Sequence, residues 1–264
     1  MSPSPPPPTP PPSTPPPGGS ARRSGRGPLG IALLVLLVLG VIALLLVAAF
    51  AAASATRQTT TDQQNLDVDD VTALAVAAQA GDIGIVVEDR DDITVRTQLT
   101  SNAWERAASD VEVTAGTLSV RSRCDRAVLF SACTADHEIS VPPGTILSVQ
   151  VAATAGRIVV RGFAGDVEVA TTAGTVSLLD FSGDTASVRT TAGEIRIVAV
   201  AAPELIGVQT TAGAVSIVVP DEVYRVDADT TVGAVSIDVR RDPDADRQIV
   251  VSTTAGSITI DRRP

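Results

Sequence analysis

One short pattern constrains the fold of this chain more than any other feature. Two or three alternating apolar residues are followed by Thr-Ala-Gly or a close variant, and then by alternating apolar residues again. It reads VEVTAGTLSV at 111–120, VAATAGRIVV at 151–160, VATTAGTVSL at 169–178 and VRTTAGEIRI at 188–197. It continues as VQTTAGAVSI at 208–217, DADTTVGAVSI at 227–237 and VSTTAGSITI at 251–260, with a weaker first copy, VAAQAGDIGI, at 76–85. The turn glycines are Gly81, Gly116, Gly156, Gly174, Gly193, Gly213, Gly233 and Gly256, spaced by 35, 40, 18, 19, 20, 20 and 23 residues. The first two steps are about twice the later ones, which predicts copies without the glycine around residues 93–96 and 139–141.

The apolar period within each copy is two, as in Val167, Val169 and Thr171 followed by Val176 and Leu178. Alternation of β-branched residues marks half-buried strands. The glycine lets the chain turn between two such strands. One unit of two short strands cannot enclose a core, but stacked units can, so the repeat predicts an all-β solenoid. About ten rungs at ~4.8 Å give a rod of roughly 45–50 Å. A β-sandwich is the competing fold, because short strands with regular turns suit it too. The near-constant step and the repeated turn tripeptide favour stacking. Only 2% of residues are aromatic, as expected of a narrow stack that holds Val, Ile, Thr and Ala but few rings.

Charge divides the chain. All 20 basic residues are arginine, and Arg22, Arg23 and Arg26 precede an uncharged stretch. The remaining 17 arginines and all 30 acids follow it, so the net charge of -10 is +3 before the stretch and 17 − 30 = -13 after it. An acidic body without lysine excludes nucleic acid as a partner class.

Residues 29–50 are 22 residues of almost pure Leu, Val, Ile and Ala. As a helix this run is long enough to cross a bilayer, and a transmembrane helix is expected over 29–53. A cleaved signal peptide ending at Ala53-Ser54-Ala55 is the rival reading, but its apolar core is normally shorter, roughly 7–15 residues. Three arginines lie just before the run and only Arg57 lies close behind it, so the N-terminus is expected in the cytoplasm and the remainder outside. Residues 1–28, rich in proline, are expected to form a disordered cytoplasmic tail. Residues 54–70 read as a polar linker and 71–262 as the extracytoplasmic β-solenoid.

The residue inventory holds little for catalysis. His137, the one histidine, reads as an incidental surface residue near a strand start. Nucleophile elbow, phosphate loop, zinc motif and calcium nonapeptide are all absent, and nothing calls for a metal or another cofactor. Asp166, Glu168, Asp180 and Asp184 fall on neighbouring units, as do Asp221, Glu222, Asp227 and Asp229. Paired carboxylates at a suitable gap serve glycoside hydrolysis, but acids in turns and on outward positions are ordinarily just solvated. Cys124 and Cys133, the only cysteines, are expected to form a disulfide if the region is exported. The pairs Thr171/Thr172, Thr190/Thr191, Thr210/Thr211, Thr230/Thr231 and Thr253/Thr254 should stack into two ladders, one inward and one outward.

The stretch ISVPPGTILSVQVAATAGRIVVRGFAGDVEVATTAGTVSLLDFSGDTASVRTTAGEIRI, with its continuation to Val239, resembles the bacterial "putative adhesin" β-strand-repeat family. The likeness spans roughly residues 71–260 and is strongest from 139 to 239. It implies a β-helix-like fold in a membrane-anchored or exported envelope protein, and it brings no catalytic residues. The expected function is therefore a non-enzymatic, single-pass envelope protein whose ectodomain contacts an envelope polymer or a surface protein. An envelope-sensing protein that signals through its cytoplasmic tail is the alternative. A polysaccharide-active β-helix enzyme ranks third.

Overall fold

The computed structural model describes residues 37–42, 44–45, 58–68, 71–101, 106–125 and 133–263. The chain forms two units, Met1–Ala52 and Ala53–Pro264. In the first, residues 37–42 and 44–45 are helical and exposed. Among the described residues no helix is long and apolar enough to cross a membrane. The expected tail, 1–28, and most of the expected span, 29–53, lie outside the described residues.

The second unit is all β. It begins with β1 (Gln58–Asp67), β2 (Ala73–Ala80), β3 (Ile83–Val87), β4 (Asp92–Ser101), β5 (Arg106–Thr114), β6 (Thr117–Asp125) and β7 (Thr134–Val141). Two long strands follow, β8 (Ser148–Arg161) and β9 (Asp166–Phe181), each running through a corner. Shorter pairs complete the fold: β10 (Thr185–Ala192) with β11 (Ile195–Ala199), and β12 (Leu205–Ala212) with β13 (Val215–Val219). The last are β14 (Val223–Val232), β15 (Val235–Asp238), β16 (Arg240–Arg241), β17 (Gln248–Ala255) and β18 (Ile258–Arg262).

Apart from residues 114–116, each Thr-Ala-Gly corner joins a strand of one sheet to a strand of a facing sheet, and neighbouring units pair in parallel. The first sheet runs β6, β2, β8, β9, β10, β12, β17, β14, and the facing sheet runs β7, β3, β8, β9, β11, β13, β18, β15. This parallel stacking is that of a solenoid, not of an antiparallel sandwich. Inward residues repeat from rung to rung. Val149, Val167, Ala186, Ile206 and Ile249 form one row, and Ile158, Val176, Ile195, Val215 and Ile258 face them, each no more than 2% exposed. Each buried Val or Ile side chain contributes roughly 1.5–3 kcal/mol. Among the described residues the rings are buried too, Phe163 in the loop between β8 and β9, Phe181 at the end of β9 and Tyr224 at the start of β14.

The glycine corner is tight because successive rungs touch there. Gly174 has a φ of 140°, and a Cβ on it would lie 1.8 Å from the carbonyl oxygen of Gly156. The same contact orders the column as Ala135, Gly81, Gly156, Gly174, Gly193, Gly213, Gly256, Gly233. That order differs from the chain order at both ends. The unit β2–β3 lies between β6–β7 and β8, and the last unit, β17–β18, lies between β12–β13 and β14–β15.

Several expectations change. Gly116 is not a rung corner. With Ala115 (φ 49°) it makes a two-residue turn (φ 78°) between the antiparallel strands β5 and β6, where positive φ at both positions matches the right-handed strand twist. Residues 93–96 are not a parallel copy either: β4 runs antiparallel to β7 and to β1. Residues 139–141, in β7, do pair in parallel with β3. The stretch read as a polar linker, 54–70, supplies β1 at its centre, since an alternating polar strand suits an exposed sheet edge.

Candidate functional site

The corner that makes the solenoid also builds its most regular surface. In the first sheet Thr190 pairs with Thr210 and Ala192 with Ala212, so the residue between them is skipped by the ladder and turned outward. Repetition of this skipped position aligns Thr154, Thr172, Thr191, Thr211, Thr254 and Thr231, all exposed, on six successive rungs. The inward partners Thr171, Thr190, Thr210 and Thr253 are 6–8% exposed. Thr171 and Thr190 donate to the carbonyls of Ala173 and Ala192 at 3.5 and 3.3 Å, and Thr230 donates to that of Gly256 at 3.2 Å. These inner hydroxyls stitch the corner, whereas the outer ones face solvent.

Beside the outer threonines runs a second outward row: Arg121, Ala77, Ala152, Ala170, Arg189, Gln209, Ser252, Asp229. Together they line an open groove formed by Ala152, Ala170, Thr172, Arg189, Thr191, Gln209, Thr211 and Ser252. A second depression, floored by Ala75, Ala77, Ala152 and Ala170, lies between Gln150, Glu168 and Arg121. Arg189 donates to Glu168 at 3.0 Å on the neighbouring rung. Both side chains are about half exposed, so the pair orients the guanidinium more than it stabilises the fold. The groove offers hydroxyls, an amide and a guanidinium at one-rung intervals.

Elsewhere the residues singled out from the sequence have structural places. His137 is not a surface residue: it is 2% exposed, with Nδ1 3.1 Å from the Thr97 hydroxyl and Nε2 3.0 Å from the Ser122 hydroxyl. It thus spans the two sheets at one end of the stack, and burial holds its pKa below the ordinary imidazole value against the pull of Asp136. Cys124 and Cys133 form a disulfide with a Cα–Cα distance of 6.1 Å, tying β6 to the residue just before β7. Asp166, Glu168, Asp180, Asp184, Asp221, Glu222, Asp227 and Asp229 are all exposed. Among the described residues no His, Cys, Asp or Glu group is arranged to hold a metal ion.

Sequence reading missed Thr154, because its copy carries Ala153 where the others have the first threonine. It also missed the alignment of Arg121 and Arg189 across the alanine floor. Arg121 lies in β6, and only the insertion of β2 between β6 and β8 brings it to this face.

A parallel, two-sheet stack with a glycine corner and an open outer face defines a class, the solenoid-like β-repeat domains. Within it, the chain belongs to the Toastrack DUF4097 family, whose model matches residues 69–261. A solved structure of similar fold is a putative cell adhesion protein from Clostridium sporogenes, with a TM-score of 0.52 and 14% identity over 78% of this chain and 100% of that one. Another is a putative adhesin from Bacteroides fragilis, with a TM-score of 0.39 and 13% identity over 76% of this chain and 97% of that one. A search of the curated proteins found no match.

Proposed function

We propose that this protein is a non-enzymatic, membrane-anchored envelope protein whose β-solenoid makes adhesive contact with an extended polymer. The carrying observation is the outward row of six threonines, three of which, Thr172, Thr191 and Thr211, line an open groove with Arg189, Gln209 and Ser252. A surface that repeats at every rung suits a ligand that also repeats, and it offers many weak contacts. The adhesin-like neighbours support this reading, as does the family resemblance in the sequence. The apolar run at 29–50, the arginines before it and the cysteine pair support an exported, anchored domain.

The test is binding of the purified full-length chain to immobilised envelope polysaccharides. Replacing Arg189 with Ala together with Thr191 and Thr211 with Val should weaken retention roughly ten-fold at an unchanged unfolding midpoint, because all three side chains are exposed. Equal retention of the wild-type and variant chains would remove the groove from the reading. Protease added to intact cells checks the location: the β domain should be lost while an epitope on residues 1–21 survives.

A further inference from the structure

The two ends of the stack are finished differently. At one end the antiparallel strands β4 and β5 close the last parallel rung, and Ile93 and Val95 of β4 are 0% and 1% exposed. At the other end the outermost rung is β14–β15, and among the described residues nothing lies over most of it. β16 begins the next rung by pairing with Val223 and Tyr224, and stops there. Inward residues beyond that point, Val226, Ala228 and Ile237, are only partly buried, whereas their equivalents Ile206, Val208 and Ile217 in an inner rung are at most 1% exposed. At the corner, Val232 is 66% and Val235 40% exposed.

Beyond Tyr224, the backbone of this rung is also unpaired on its outer side among the described residues. The Arg225 amide donates to the Arg247 carbonyl, and Ile258 donates to Ala234. Strand alternation therefore turns the amides and carbonyls of Val226 and Ala228 in β14, and of Val235 and Ile237 in β15, away from the stack. On the solvent face of β14 stand Asp227 and Asp229, both exposed, and neither forms an ion pair among the described residues.

We propose that this edge is a docking site for an extended segment of a partner protein that alternates basic and apolar residues. Such a segment would continue the ladder along β14. Its apolar side chains would cover Val226 and Ala228, and its basic side chains would meet Asp227 and Asp229. A second copy of this chain fits the edge poorly. Antiparallel pairing of two β14 strands about Ala228 sets Asp227 against Asp229, and the β5 edge at the other end carries Asp110 and Glu112. Like charges directly opposite one another destabilise a strand pair.

The probe is a short acetylated peptide alternating arginine and valine, titrated against the full-length chain in detergent micelles. The site predicts saturable binding that weakens roughly ten-fold or more in the Asp227→Lys, Asp229→Lys double variant. It predicts the same for Ala228→Pro, which deletes an outward amide without touching the bonds to β17. A peptide of the same composition interrupted by proline should not bind. Three results would each overturn the proposal: no binding by the wild type, equal binding by the wild type and both variants, or a dimer that buries β14 in the absence of peptide.

Discussion

At Gly193 two demands meet in one residue. Its φ is 143°, a region essentially closed to other residues, and a Cβ there would lie 1.7 Å from the Gly174 carbonyl oxygen, a backbone atom that cannot step aside alone. Gly207 lies in the next unit on the sheet surface, where a Cβ would meet nothing within 4 Å. The two substitutions should therefore differ in sign. Gly193→Ala should cost about 3 kcal/mol or more, while Gly207→Ala should stabilise by about 0.5 kcal/mol through the unfolded chain. Urea unfolding of both variants measures the difference. Tyr224, the only tyrosine, gives a second residue-scale prediction. Its hydroxyl donates to the Pro220 carbonyl at 3.3 Å, and burial pushes its pKa from 10.0 up to about 12. The folded state resists losing this proton, so its contribution to stability is full below pH 10 and is lost as pH rises toward 12. Ultraviolet titration should show phenolate appearing only near the upper value, and Tyr224→Phe should flatten the fall in stability.

The period-two pattern makes each element legible from the sequence, because burial on one face of a strand requires it. It could not reveal direction. Residues 93–96 alternate as a parallel rung would, yet β4 is antiparallel, since the path back from β3 to the end of the stack reverses the chain. Likewise Thr-Ala-Gly at 114–116 looks like the other corners but closes a hairpin, because the flanking strands pair with each other. The place of β17 and β18 has a consequence that chain order would not suggest. These strands are last in sequence but are flanked by β12–β13 on one side and β14–β15 on the other. Ending the chain at Arg247 should therefore release β14 and β15 as well, and not trim one rung from an end. Limited proteolysis should then cut within residues 223–238 and should spare them in the full chain.

Across the β domain, the groove and the edge both follow from how equivalent units were assembled. The repeat by itself determined the strands, the glycine corner and the pairing of an inward with an outward threonine. These are local consequences of alternation, of positive φ and of a skipped ladder position. It could not order the rungs, because one unit of about twenty residues stacks on any other almost equally well. Tertiary structure decided the order through the ends. Two units leave the chain sequence, the outermost ones on either side, and the connections between units are long enough to bridge the inserted rung. That choice carried Arg121 to the alanine floor. It also left Asp227 and Asp229 on an open strand and sank His137 between two sheets. Surface and core look alike in a sequence when the partner of a strand lies several units away.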